Sequence, residues 1–306
     1  MKTRLLQILR SSTGPVTFGD LVAALSGAPG PLEKAITDLK AAGYGISVEN
    51  NAVLLSSAPD IPFPWEFPKR ETAIHHLAET GSTMDAARDL ARQGCPHLTV
   101  VVADTQTGGR GRMDRTWRSD PGGLYMTLVL KPDIPATDGL KLTFLASLTL
   151  AGVLRRLCRV EAAVKWPNDI LAGGKKLAGL LSEMQAIGNR IEFVNIGIGI
   201  NVNNTPERYE PNATSIKTLT GAPFSRVTLM REFLDALEAG LQHIDLPSVI
   251  QQWKSHAASL GRPVTVVTPG ETVTGVAEDV NESGALMVRL ADGALKEVCY
   301  GDCFHR

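Results

Sequence analysis

The sequence predicts an α+β chain built in three parts. Three observations carry this: an amphipathic helical opening that ends in a polar-tipped hairpin, four prolines within ten residues, and a late switch to short apolar runs separated by turn residues. The 306 residues suffice for about two or three domains.

Residues 1–58 form the first part. Leu5, Leu6, Ile8 and Leu9 make a helical stripe, and Thr17 with Asp20 reads as a capping box opening a second helix through Leu21, Val22 and Leu25. Residues 27–30 break the pattern. A third helix carries Leu32, Ile36 and Leu39 and stops at Gly43. Ile46 and Val48, the turn Glu49-Asn50-Asn51, and residues 53–55 then make a hairpin. Three helices and a hairpin are the pattern of a winged helix-turn-helix. Pro59, Pro62, Pro64 and Pro68 resist helix and predict an extended linker over 59–69.

Residues 70–259 alternate, predicting a mixed β-sheet with helices. A helix over 82–93 opens with Ser82 and Asp85 as capping pair. Residues 98–103, 124–130, 162–166, 176–184 and 191–202 are strand-like. Helices are expected over 140–158, 229–244 and 249–258. From 260 to 306 four short strands, 264–267, 273–280, 285–290 and 295–298, alternate with Pro-Gly, Asn-Glu-Ser-Gly and Ala-Asp-Gly turns, predicting a small β-barrel-like cap.

Composition excludes several classes. The net charge of −1 argues against electrostatic capture of nucleic acid by the whole molecule. No run reaches the roughly 20 apolar residues that span a bilayer, so no membrane partner is expected. The opening residues are too charged for a signal peptide. Cys95, Cys158, Cys299 and Cys303 are scattered without a CxxC pair, as in a reducing compartment; a cytoplasmic protein is expected. No metal site built from a fixed cluster of protein ligands is expected.

Three segments carry chemistry. In residues 107–112, Thr-Gly-Gly-Arg-Gly-Arg, the glycines free backbone N–H groups for an anion, and Arg110 and Arg112 supply planar forks for carboxylate or phosphate. The Walker spacing is absent. Trp117, just downstream, is placed to fold the loop over an apolar ligand. Lys165-Trp166-Pro167-Asn168-Asp169 ends one strand, and Lys175-Lys176-Leu177-Ala178-Gly179 opens the next, so two lysines can face one polyphosphate. Gly197-Ile198-Gly199-Ile200-Asn201 lacks the third glycine and the helix of a dinucleotide fingerprint; a buried strand whose glycines make room for a ligand ring fits better. Neither Ser182 nor the cysteines have a histidine at recognisable spacing, so no covalent enzyme intermediate is expected.

The blocks ETGSTMDAAR (79–88), DTQTGGRGR (104–112), VKWPNDI (164–170), KKLAGLLSE (175–183) and NIGIGINV (195–202), in that order, resemble the bacterial biotin protein ligases with an N-terminal winged helix. The resemblance implies a class II synthetase-like catalytic sheet and a C-terminal SH3-like β-barrel. It implies that biotin and Mg-ATP give biotinyl-adenylate, from which biotin passes to a lysine of the biotin carboxyl carrier protein of acetyl-CoA carboxylase. By position it assigns Ser82, Thr83, Gln106, Gly109, Arg110, Arg112, Lys176, Gly179 and Gly199 to biotin. Arg112, Trp117, Asn168, Lys176, Asn201 and Arg306 fall to the nucleotide, and catalysis to Lys176, Arg110, Arg112 and Asp169. Where the family commonly has Ser-Thr-Asn, position 84 is Met84, which removes an amide beside the ligand.

The resemblance also implies homodimers and, for bifunctional members, repression through operator DNA. Here the charged residues of 1–60 balance and the hairpin tip has no cation, which leaves operator binding and a structural or dimer-supporting role both open. Two alternative functions remain: a lipoate protein ligase, which shares the fold and the adenylate chemistry, and a ligand-sensing DNA regulator without catalysis.

Overall fold

The structure, a computed structural model, describes every residue except Ile244 and Arg306, and it divides into two compact units, Met1–Ile74 and His75–Arg306. In the first, α1 (Lys2–Ser11) is followed by β1 (Val16–Thr17), α2 (Phe18–Leu25), α3 (Pro29–Ala41), β2 (Gly45–Glu49) and β3 (Ala52–Ser57). Thr17 caps α2, its Oγ1 accepting the Asp20 N–H at 3.1 Å. Leu5, Leu6, Leu21, Leu32, Leu39 and Val53 meet in one core, and the strands pair in the order β1-β3-β2.

The proline-rich stretch departs from the extended linker expected of it. A 3-10 turn at Pro64–Glu66 tucks Glu66 and Phe67 into the first unit, at 3% and 2% exposure. Arg10 donates to both Glu66 carboxylate oxygens (2.8 and 2.7 Å), Tyr44 donates to the same carboxylate, and Trp65 Nε1 donates to Tyr44 Oη at 2.9 Å. A buried carboxylate persists because it is paired and hydrogen-bonded. Prolines made the stretch non-helical; side chains distant in sequence made it packed.

The second unit runs β4 (Ile74–Thr80), α4 (Thr83–Arg92), β5 (Thr99–Gln106), β6 (Leu124–Leu130), α5 (Gly139–Cys158), β7 (Ala162–Lys165), β8 (Asp169–Ala172), β9 (Lys175–Ile187), β10 (Arg190–Ile200), α6 (Ile216–Thr220), α7 (Arg226–Gln242) and α8 (Leu246–Lys254). Its main sheet has the order β4-β5-β6-β10-β9-β8-β7. The five neighbouring pairs from β5 to β7 are antiparallel, while β4 and β5 leave their edge in the same direction, Thr107 N donating to Thr80 O at 3.0 Å and Gly108 N to Gly81 O at 2.7 Å, as in the mixed sheet expected. The short connections β7-β8, β8-β9 and β9-β10 join antiparallel neighbours, since a parallel pair needs a long crossover. Ser82 caps α4 by accepting the Met84 N–H (3.3 Å), but Asp85 is not the reciprocal cap: it pairs with Arg88 at 3.0 Å and Arg110 at 3.1 Å.

The stretch Ala136–Cys158 is long and apolar enough to cross a membrane by length and hydropathy. In the fold it packs as a core helix: Leu142, Phe144, Leu150 and Leu154 of α5 are buried, and Phe144 meets Trp253 of α8 edge-on at 5.0 Å. The chain ends in β11 (Pro263–Val267), β12 (Thr272–Val280), β13 (Leu286–Arg289), β14 (Leu295–Val298) and β15 (Asp302–His305), paired in the order β14-β13-β12-β11-β15. The fifth strand was not anticipated, and it forms one wall of the site below.

Candidate active site

The N-terminus of α4, the loop after β5 and the middle of β9 and β10 converge on a cavity of about 340 Å³. At one end lies a chain of hydroxyls and amides. Thr83 donates through N and Oγ1 to Gln106 Oε1 (2.8 and 3.0 Å), Gln106 Nε2 donates to Ser119 Oγ (2.8 Å), and Thr127 Oγ1 donates to Thr83 Oγ1 (2.9 Å). Each partner fixes the next, so Ser82, Thr83 and Gln106 face the cavity from defined positions. Met84 lies beside them, its sulfur 2.6 Å from where a Cβ on Gly197 would stand.

The glycine-rich loop is an ordered hairpin. Trp117 N donates to Gly109 O (2.9 Å), Gly111 N donates to Arg115 O (2.7 Å), and Met113 and Asp114 take the left-handed turn at φ 50° and 58°. The hairpin lays the Trp117 indole on the sheet. A Cβ at Gly199 would stand 2.7 Å from Trp117 Cζ2, and one at Gly179 2.9 Å from Cζ3. The room left by these strand glycines, read from sequence as space for a ligand ring, thus seats Trp117. The indole Nε1 is buried and finds no hydrogen-bond partner among the described residues.

Cations gather at the other end. The sequence placed Lys165 and Lys176 on successive strands, but β8 intervenes and delivers Asp169 between them. Lys176 Nζ lies 2.6 Å from Asp169 Oδ1, and Lys165 Nζ 3.7 Å from Oδ2. Lys176 Nζ also stands 5.3 Å from the Trp117 ring centroid, joining the cationic and aromatic parts. Asn168 is committed to the strand behind it: its Nδ2 donates to Leu180 O, and its own carbonyl accepts the Leu180 N–H at 2.8 Å. Trp166 anchors the turn, with N donating to Ser259 Oγ (3.0 Å) and Nε1 to Gly284 O (2.9 Å).

Arg110 turns away from the cations to Asp85 and Glu183. Arg112 lies over the Tyr300 ring at 4.7 Å, and burial holds its guanidinium below the ordinary value against the charge of Asp302. Arg115 pairs with Asp302 at 2.6 Å. Asn201 is buried and accepts from Asn204 Nδ2 at 2.9 Å. The remaining assigned nucleotide residue, Arg306, lies outside the described residues. Sequence reasoning passed over Arg115, Arg118, Asn204 and the β15 residues Asp302, Cys303 and Phe304, all of which line the cavity. Arg115 stands three residues beyond Arg112, a signal within reach; nothing local marks Asp302.

Among the described residues no group of three His, Cys, Asp or Glu side chains is placed to hold a metal ion. Asp169 already faces two lysines, so a magnesium ion would be carried mainly by phosphate oxygens.

Residues 78–201 match the Biotin/lipoate A/B protein ligase family, and residues 259–306 match the Biotin protein ligase C terminal domain. The bifunctional ligase/repressor BirA of Bacillus subtilis is 36% identical over 228 residues, covering 70% of this chain and 69% of that protein. This chain belongs to the biotin protein ligase family. The biotin–[acetyl-CoA-carboxylase] ligase of Paracoccus denitrificans is also 36% identical, over 70% of this chain and 92% of its own length. Among solved structures, the Aquifex aeolicus biotin protein ligase in complex with biotin and ATP superposes with a TM-score of 0.64 at 28% identity, covering 76% of this chain and 98% of that one.

Proposed function

We propose that this biotin ligase carries out two half-reactions in the one cavity, activating biotin with Mg-ATP and passing it to a lysine of a biotin carboxyl carrier protein of acetyl-CoA carboxylase. The observation that carries the reading is the junction at Lys176. There an aromatic floor on strand glycines, suited to an apolar acid, meets a cluster of cations suited to polyphosphate.

In the first half-reaction a biotin carboxylate oxygen bonds to the α-phosphorus, the bond from that phosphorus to the bridging oxygen breaks, and pyrophosphate leaves. Both reactants are anions, so the barrier is lowered by cations fixed beforehand. We give that role to Lys176 and Arg112, and the pairing of Lys176 with Asp169 and the stacking of Arg112 on Tyr300 support the assignment. Ser82, Thr83, Gln106 and Gly109 serve the biotin end, above the Trp117 indole that Gly179 and Gly199 seat and that extends toward the nucleotide, which Asn168, Asn201 and Arg306 serve. Arg110, paired with Asp85 and Glu183, ties the base of the hairpin to α4 and β9. In the second half-reaction the lysine amine bonds to the acyl carbon, the C–O bond to AMP breaks with its electron pair, and nitrogen gives up a proton to water. Magnesium arrives with ATP and offsets phosphate charge. We place the activity in the cytoplasm.

Protein, Mg-ATP, biotin and a carrier domain are incubated, and the carrier is weighed by intact mass spectrometry, with lipoate in parallel. An ATP-dependent gain of one biotin on one lysine is expected. Label from lipoate instead would make the chain a lipoate ligase, and no label from either would make it a ligand sensor. Lys176→Ala should lower pyrophosphate release at least about 100-fold with an unchanged far-UV spectrum; unchanged turnover would refute the role given to Lys176.

A further inference from the structure

Met84, in the first turn of α4, is 3% exposed and lines the cavity beside Thr83. A Cβ on Gly197 would stand 2.6 Å from its Sδ and 3.0 Å from its Cγ, so the thioether lies against β10 where that glycine leaves room. Two residues on, Gly199 seats the Trp117 indole in the same way. Residues two apart on a strand face the same side, about 7 Å from each other. The register sets Thr127 and Leu181 beside Gly197, and Tyr125 and Gly179 beside Gly199. Met84 and Trp117 therefore form adjoining rows of one apolar floor. The indole row lies nearer Lys176; the thioether row lies nearer the polar chain, since Thr127 of that row donates to Thr83.

We propose that Met84 is a specificity-determining residue of the acid end, packing against the sulfur-bearing ring of biotin, an inference that rests on the ligase reading above. The polar chain is largely committed to itself: Gln106 Oε1 accepts twice from Thr83, and Gln106 Nε2 donates to Ser119. Its remaining valences suit a small polar head such as the ureido ring. The fused thioether ring of the acid is apolar and needs apolar surface in the adjacent row, which Met84 and Leu181 supply. A methionine fits an irregular ring surface because its stem is unbranched and its sulfur polarizable. Its place is fixed from two sides, by Gly197 beneath it and by Ser82 Oγ, which accepts the Met84 N–H at 3.3 Å. The side chain has no N–H or O–H to donate, so it selects by shape and contact.

Desthiobiotin keeps the ureido ring and the carboxylate tail but has hydrogens where biotin has its ring sulfur, so it reports this contact. Pyrophosphate release is measured with each acid at saturating Mg-ATP for the parent chain, Met84→Ala and Met84→Gln. In Met84→Ala the KM for biotin should rise about tenfold or more, the scale of losing a well-packed thioether. The KM for desthiobiotin should rise far less, so that the preference for biotin falls about tenfold, and the KM for ATP should match the parent. Met84→Gln has nearly the same length and keeps the space filled, which covers the case in which alanine unsettles the fold. The preference should fall in the same direction there, because an amide is set against an apolar ring. Equal rises for the two acids would make Met84 a structural part of α4 and overturn the proposal, as would an unchanged biotin KM in both variants. Failure of the ligase reading itself is told apart by the parent chain, which would then form adenylate from neither acid.

Discussion

At the scale of single residues, the site depends on what glycine omits. Gly199 leaves space that the Trp117 indole fills, and Gly179 does the same one strand away. Gly199→Ala should push the indole off the sheet, because a contact near 2.7 Å to an aromatic ring cannot be absorbed by a well-packed wall. We expect a red-shifted tryptophan emission and weaker biotin binding by calorimetry; an unaltered spectrum with full affinity would show that the indole does not depend on that space. His97 offers a test by pH. Burial holds its imidazole below the ordinary 6.5, against the charge of Glu238, and its Nδ1 accepts the Lys131 N–H at 2.9 Å. The unfolded chain therefore takes up this proton more readily than the folded one. The stability that His97 contributes is complete above about pH 6.5 and is lost as pH falls through the lower folded value. Melting curves between pH 7 and 5 should decline less steeply in His97→Gln, which keeps an acceptor and removes the titration; identical slopes would remove His97 from the account.

At the scale of elements, the three helices and the hairpin of the first unit offer few groups with which to read DNA. The first turn of α3 is Pro29-Gly30-Pro31, which has no side-chain donor, and the hairpin tip is Glu49-Asn50-Asn51. Of the cations, Lys2 pairs with Asp38 at 3.1 Å and Arg10 with Glu66, which leaves Lys34 and Lys40 of α3, Arg4 of α1 and Lys69 as exposed charges. A bifunctional ligase/repressor stands among the relatives, so DNA binding is worth measuring. We expect fluorescence anisotropy with duplex DNA to show log K falling against log salt with a slope no steeper than about −3, each neutralised phosphate contributing roughly −0.9. A slope near −6 in the presence of adenylate would establish a phosphate grip that these elements do not display.

At the scale of the whole molecule, every described residue assigned to the chemistry lies in His75–Arg306. The Paracoccus relative is matched over 92% of its length by 70% of this chain, so a ligase can do with far less than a chain of this length. A chain beginning at residue 71 should therefore keep pyrophosphate release close to that of the full chain. Loss of that activity in a folded truncation would mean that the first unit supports the site. The two units also have separate cores, which predicts two melting transitions by calorimetry.

Much of this was legible along the chain, because its determinants are local. Helix caps, the 3.6-residue stripe of α1, the turn residues of the C-terminal strands and the Lys165–Asp169 and Gly109–Arg112 blocks act over a few residues, and sequence alone names them. It also determined the family, since five motifs in fixed order are a linear property. Tertiary structure decided what depends on distance. β8 is four residues long and hidden inside a motif, yet it sets Asp169 between two lysines. Asp302 reaches Arg115 from 187 positions away. Glu66 turns a proline-rich stretch into a packed one through Arg10 and Tyr44. The carboxylates of Glu66, buried, and Asp169, largely buried, make such contacts because a charge in a low-dielectric setting needs a partner, and the chain finds that partner in space rather than in sequence.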